Sequence, residues 1–322
     1  MLIKIPKGWQ GKEWEVTPEG IYLSRRELVK TLGLGGIGLS VGCGLSVTGG
    51  DPFNGVEQFV NPYDDYFPVV RNDRYEVNER PLTDEIDATQ YNNFYEFSVQ
   101  KTAVWQLVGE FRIEPWTIEV AGLCGRPGTY DIDDLLNRFE LEERIYRHRC
   151  VETWAMTVPW SGFALRDLVS YLEPSSDASY IRFVTADAPT QMPGMTERPE
   201  YPWPYYEGLR MDEAVNELSF MAAGLYGRGI PRQNGAPLRL VVPWKYGYKS
   251  IKSIVRIEFL DQEPATFWSD LAPSEYPFIS NVDPDVPHPR WSQATETLLT
   301  SREEVDTLKY NGYGEFVADL YE

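Results

Sequence analysis

The stretch YRHRCVETWAMTVPWSG, residues 146–162, sets one thiol, Cys150, between arginines on one side and tryptophans on the other. With three cysteines and two histidines in 322 residues, the chain has few groups for metal-ligand or nucleophilic chemistry. As a nucleophile, Cys150 would need a base. His148, two residues away, would share a strand face with it, but that pair lacks the geometry of a cysteine hydrolase, and His288 stands far along the chain in VPHPRWS. A zinc or iron–sulfur site built from protein alone needs three or four ligands at recognisable spacing, which Cys43, Cys124 and Cys150 do not supply. A disulfide between Cys124 and Cys150 stays open, as does a buried structural cysteine at a strand end. Arg144, Arg147 and Arg149 would favour a thiolate if any of them faces the sulfur. One further chemistry needs a single protein sulfur: a soft thiolate completing the coordination of a metal that arrives inside its own cofactor.

A second feature concerns charge. The chain carries 49 acidic and 30 basic side chains, a net charge of −19, so nonspecific adhesion to nucleic acid is opposed by the field of the whole molecule. Yet Arg228, Arg232, Arg239, Lys245, Lys249, Lys252 and Arg256 follow one another without an Asp or Glu between Arg228 and Arg256. The order there is a turn at NGAP, then a strand, then KYGYKSIK. That last run supplies a glycine where backbone can approach a ligand and lysines as phosphate counter-charges. A solvated basic edge strand would account for the charge alone. A phosphorylated small cofactor accounts for both the window and the lone thiol.

The elements that must position these residues are short. WTIEVAG (116–122), YIRFVTA (180–186), LRLVVPW (238–244) and SIVRIEFL (253–260) read as strands, and DIDDLLNRF (131–139) and ALRDLVSYL (164–172) as helices with leucines at helical spacing. The 24 prolines and 26 glycines are spread evenly, which suits many short elements joined by ordered loops. The class is α+β, β-rich, with no repeat and no membrane-length apolar run. Residues 51–90 are polar and without sustained period, and read as an extended arm ahead of a single domain over 91–322.

The amino terminus reads as an address. Arg25 and Arg26, in SRRELVK (24–30), stand just ahead of TLGLGGIGLSVGCGLS, an uncharged run whose glycines would weaken a helix interior. This resembles a twin-arginine export signal, with residues 1–50 as the signal region, an exported and periplasmic mature chain, and cleavage after about residue 45 to 50. Cys43 has Ser40 where a lipidation motif usually has leucine, so lipidation is weakly supported.

Several motifs together resemble one family. YNNFYEF (91–97), LEERIYRHRCVETWAMTVPWSG (141–162), APTQMPG (188–194), YPWPYYEGLRMDEA (201–214), PRQNGAPLRLVVPWKYGYKSIKSI (231–254) and HPRWSQATE (288–296) are similar, in this order, to the catalytic subunits of periplasmic protein-methionine-sulfoxide reductases. That family is a molybdopterin-dependent branch of the sulfite oxidase fold superfamily. The resemblance implies that Cys150 is the ligand of one molybdenum and the catalytic centre. It implies that Asn92, Tyr95, Glu96, Thr185, Asn234, Arg239, Ser250, Ile251 and Lys252 contact the molybdopterin, Lys252 as a phosphate partner.

The implied activity is reduction of methionine sulfoxide in oxidised exported proteins, with electrons from a haem-bearing membrane subunit. Trp154 and Trp160 are candidates for a pocket receiving the apolar thioether product, or else core residues. Sulfite oxidases tend to follow the metal cysteine with a small, arginine-containing segment. Here VETWAMTVPW stands in its place, which disfavours sulfite. The competing functions are reduction of small S- or N-oxides or oxidation of sulfite on the same cofactor, and a non-catalytic exported anion-binding protein.

Overall fold

The computed structural model describes residues 60–77 and 79–322. The paired arginines, the uncharged run after them and Cys43 lie outside the described residues. The fold is α+β, with two mixed sheets and short helices.

The first sheet contains β1 (Thr117–Gly122), β2 (Gly128–Asp131), β5 (Tyr180–Thr185), β6 (Tyr206–Arg210) and β10 (Ile254–Leu260), in the order β2-β1-β10-β5-β6. Only β1 and β10 pair in parallel; the other neighbours are antiparallel. In β5 the residues alternate, with Ile181, Phe183 and Thr185 buried. That is the period-two pattern of a sheet with one face on the core. The helix Ile132–Arg138 follows β2, its first turn capped by the Asp131 side chain, which accepts from Asp133 N at 3.0 Å.

The second sheet is built on β3 (Glu142–Arg149) and β4 (Trp154–Ala164), an antiparallel pair in register from Glu142↔Gly162 to Arg149↔Ala155. The other edge of β4 carries β11 (Thr295–Leu298), in parallel, and then β7 (Phe220–Leu225); β8 (Arg228–Gly229) and β9 (Arg239–Val241) pair with β7, and β12 (Glu304–Asp306) with β11. Every residue of β4 is buried, so the strand shows no alternation. At Gly162 a β-carbon would sit 2.0 Å from the Met221 carbonyl oxygen. Only glycine lets β4 and β7 approach so closely.

Buried arginines are part of this sheet. Arg144 lies with its guanidinium 4.0 Å from the Tyr75 ring centroid and 4.5 Å from that of Phe220. Arg149 pairs with Glu296 at 2.8 Å with neither side chain exposed. The helix Leu165–Leu172 leaves the end of β4 and buries Leu165, Leu168, Val169 and Leu172, a stripe at i, i+3, i+4, i+7. Residues 60–77 and 79–90 reach the same body. Tyr63 and Tyr75 are buried, Asn72 N donates to Glu143 O and Glu143 N to Val70 O, both at 2.8 Å, and a helix runs from Glu85 to Gln90.

Candidate active site

Where β3 turns into β4 the chain opens onto a cavity of about 320 Å³. Cys150 is the hinge of that turn: its backbone N donates to Trp154 O at 2.9 Å, and its carbonyl accepts from Thr153 N at 3.0 Å. The residue is 5% exposed and lines the cavity. Its sulfur accepts from Asn93 Nδ2 at 3.1 Å and from the Glu152 backbone N at 3.4 Å, and the thiol can donate to Glu152 Oε2 at 3.7 Å. Burial, with the nearby Glu152 charge, pushes the thiol pKa up to about 12.

The neighbouring arginines do not overcome that burial, because their charges are engaged elsewhere. Arg144 is held by Glu142 and Tyr146, Arg147 by Glu79 at 2.7 Å, and Arg149 by Glu296. Arg149 Nη1 donates to the Cys150 carbonyl rather than to its sulfur. A metal ligand must be deprotonated, so for Cys150 to serve as one the metal itself would have to stabilise the thiolate. Both described cysteines are free thiols.

Three further segments close the cavity. Residues 91–96 bring Asn92, Tyr95 and Glu96; the loop before β9 and the strand itself bring Asn234 and Arg239; and the turn and loop before β10 bring Gly247, Ser250, Ile251 and Lys252. Arg239 spans two of these, donating to Asn234 O at 2.8 Å and Ser250 O at 3.0 Å, with its guanidinium 4.7 Å from the Trp160 ring centroid. Lys252 Nζ donates to Asn93 O at 2.7 Å. Thr185 does not line the cavity. It stands one hydrogen bond behind, its hydroxyl donating to Lys252 O at 2.8 Å. His148 does line it, with no room beside it, since a β-carbon at Gly247 would lie 2.6 Å from His148 Nε2. Burial, reinforced by Arg239 and Lys252, holds the imidazole neutral, its pKa well below the usual histidine range.

The basic window resolves into two parts. Arg228 pairs with Glu85, Lys245 with Glu213 at 2.6 Å, Lys249 with Glu207 at 2.6 Å, and Arg256 with Glu119 at 3.1 Å and Glu258 at 2.8 Å. Those four are neutralised by acids remote in sequence, Arg256 also by Glu258 on its own strand. Arg232 caps Gly109 O at 2.8 Å. Arg239 and Lys252 alone among the seven line the cavity, and neither makes an ion pair among the described residues. Burial lowers the pKa of Lys252 and raises that of Glu96, which faces it across the same wall.

The donor set fits a phosphorylated pterin. The side-chain oxygens Asn92 Oδ1, Asn93 Oδ1 and Asn234 Oδ1 are buried with no hydrogen-bond partner, as is Trp154 Nε1, although native proteins leave very few such groups unpaired. Three amide acceptors match the ring N–H groups of a pterin. Two buried basic side chains outside any ion pair match a phosphate, and a soft sulfur at the wall matches molybdenum.

Comparison with known proteins agrees. Residues 106–268 match the oxidoreductase molybdopterin binding domain. A Pseudomonas syringae pv. tomato protein named protein-methionine-sulfoxide reductase catalytic subunit MsrP is 45% identical over 330 residues, all of this chain and 97% of that one. Proteins of the same name from Burkholderia mallei and Xanthomonas axonopodis pv. citri are each 45% identical over 313 residues, 95% of this chain and 92% and 94% of theirs. The chain belongs to this family. Among solved structures, the sulfane dehydrogenase SoxCD of Paracoccus pantotrophus matches with a TM-score of 0.41 at 16% identity, over 60% of this chain and 51% of that one.

Within a member of this family, the cavity also shows residues that the sequence reading passed over. Asn93 Nδ2 bridges Cys150 Sγ and Glu152 Oε2, the latter at 2.7 Å. It sits beside Asn92 in the same motif, and nothing in the spacing separates the two. Glu152 follows the cysteine by two residues, the one available sign of its place. The aromatic side of the cavity, formed by Tyr201, Trp268, Tyr276 and Trp291, comes from loops and from the five-residue helix Phe267–Leu271, segments too short or irregular to carry a period. Trp291 is fixed there by Nε1 donating to Val151 O at 2.8 Å and by stacking on His288 at 3.8 Å. Trp154 lines the cavity, whereas Trp160 is a core residue with no exposed surface.

Proposed function

We propose that this chain reduces methionine sulfoxide side chains of oxidised exported proteins to methionine, as a molybdenum–pterin enzyme holding one molybdenum through Cys150. The observation that carries the reading is the single buried thiol set among three unpartnered amide oxygens and two buried basic side chains, Arg239 and Lys252, that make no ion pair among the described residues. When bound, the cofactor supplies the two electrons by which a sulfoxide and two protons become a thioether and water. The chain's own residues bind and orient. Asn92, Asn93 and Asn234 offer acceptors to the pterin ring, and Arg239 and Lys252 offer charge to its phosphate. Ser250 and Ile251 hold the loop through the Ser250 hydroxyl, which accepts from Val242 N at 3.1 Å, and the Ile251 carbonyl, which accepts from Leu240 N at 2.9 Å. Thr185 braces Lys252 from behind, and Tyr95, edge-on to Trp268 at 5.3 Å, joins Tyr201, Tyr276 and Trp291 in a wall suited to an apolar methylthio group.

Electrons must come from a partner, which the relatives' designation as catalytic subunits supports; a haem-bearing membrane subunit is the proposed donor. Among the described residues no helix is long and apolar enough to cross a membrane. Export to the periplasm by the twin-arginine route rests on Arg25, Arg26 and the uncharged run after them.

The test is elemental analysis of protein matured together with its cofactor machinery. About one molybdenum per chain is expected, lost in Cys150→Ser while the fold, read by circular dichroism, stays native. Metal-free wild-type protein under those conditions would overturn the reading. Reduction of a methionine-sulfoxide protein, compared with turnover of sulfite, then separates this activity from sulfite oxidation.

A further inference from the structure

Beside the metal cavity lies a second hollow of about 320 Å³, which shares Tyr91, Glu152 and Trp154 with the first as a common wall. Its remaining lining includes Lys101, Thr153 and Arg302. The Lys101–Glu152 ion pair, 3.0 Å long and part-exposed, stands at the boundary between the two. Arg302 differs from Lys101: it is exposed and makes no ion pair among the described residues. In a chain of net charge −19, a hollow whose uncommitted charge is positive stands out from the field around it.

The backbone adds an independent observation. Thr153 (φ 70°) and Arg302 (φ 60°) both adopt the left-handed conformation, which costs a non-glycine residue free energy and is a true outlier for a β-branched one. Thr153 is held there by its N–H to Cys150 O at 3.0 Å and its carbonyl from Thr297 N at 2.8 Å, and Arg302 by its N–H to Leu298 O at 2.9 Å. The turn bearing the thiol and the turn bearing the unpaired arginine are thus bonded into one frame. Because the two hollows share a wall, a polypeptide whose side chain reaches toward Cys150 can set a flanking residue over the second hollow.

Building on the activity proposed above, we propose that the second hollow is a substrate subsite. It takes the carboxylate of an Asp or Glu side chain flanking the methionine sulfoxide in a polypeptide, with Arg302, the charge not already paired, as its counter-charge. The test uses acetylated and amidated methionine-sulfoxide peptides, so that the side chain is the sole carboxylate, with Glu or Gln scanned through the positions on either side. Holoenzyme turnover gives a ratio of kcat/KM for Glu over Gln, in which differences in the amount of folded enzyme cancel. A ratio of roughly two to five is expected at the best position, carried by KM and fading at high salt, as for an exposed charge pair.

In Arg302→Gln the ratio should fall to about one, and Arg302→Glu should instead favour a Lys-flanked peptide. A ratio of one in the wild type, or one unchanged in Arg302→Gln, overturns the subsite while leaving the activity intact. No reduction of any peptide would overturn the activity and the subsite with it.

Discussion

Lys252 and Arg239 are placed at a cost to the fold. Neither makes an ion pair among the described residues, although Glu96 faces Lys252, and burial bears against the charge of each, bringing the Arg239 pKa down to about 9 and lowering that of Lys252. Such groups are retained where a ligand completes them. Lys252→Met is therefore expected to act with opposite signs on the two forms of the protein. The cofactor-free form should gain on the order of 1 kcal/mol, since an apolar side chain of similar length replaces a buried charge. Cofactor content after maturation should fall several-fold, measured as pterin and molybdenum per chain. A loss of stability in the cofactor-free form would show that Lys252 serves the fold and not the ligand. At this scale the motif around Asn92 was legible, but the division of work between Asn92 and Asn93 was not. Adjacent residues of one type differ only in where the folded backbone aims them.

The elements show why some strands were read correctly and others were missed. β1, β5 and β10 alternate or carry β-branched residues at a half-buried surface, and the expected strands at 116–122, 180–186 and 253–260 fall on them. The expected strand at 238–244 shortens to β9, and the helices expected at 131–139 and 164–172 appear as Ile132–Arg138 and Leu165–Leu172. β3 and β4, the strands that carry the thiol, gave no signal of period two because both their faces are buried. The same closeness governs the cavity wall. A β-carbon at Gly194 would lie 2.1 Å from Tyr95 O and 2.8 Å from Glu96 C, all backbone atoms that cannot turn aside. Gly194→Ala should push the Tyr95–Glu96 segment, lowering stability to urea by about 1–3 kcal/mol and cofactor content with it. Gly109→Ala, with nothing within 4 Å of the new β-carbon, should change stability by less than about 0.5 kcal/mol.

Across the whole molecule, acids and bases far apart in sequence neutralise one another, and burial decides which pairs matter. The Glu207–Lys249 pair joins β6 to the turn that borders the cavity, with both side chains 1% exposed. Glu207→Gln would leave a buried ammonium without its counter-charge, and denaturant unfolding should show a loss of about 3–5 kcal/mol. Arg256, 41% exposed beside Glu119 and Glu258, belongs to the same basic window in sequence, yet Arg256→Gln should cost no more than about 1 kcal/mol. Equal losses in the two variants would contradict the division of the window into buried pairs, surface pairs and cavity cations.

By itself the sequence determined the chemical inventory: one thiol hemmed by arginines and tryptophans, an acid-free run of seven cations, and the short elements whose period is written in their own residues. Those follow from composition and local geometry, which need no distant contact. Tertiary structure alone decided which cations face the cavity, because the acids that claim Lys245 and Lys249 come from other elements. It also decided that the arginines beside Cys150 turn to Glu142, Glu79 and Glu296, leaving burial to set the state of the thiol. Direction and burial belong to the packed chain, and they separate a charge near the site in sequence from a charge that acts in it.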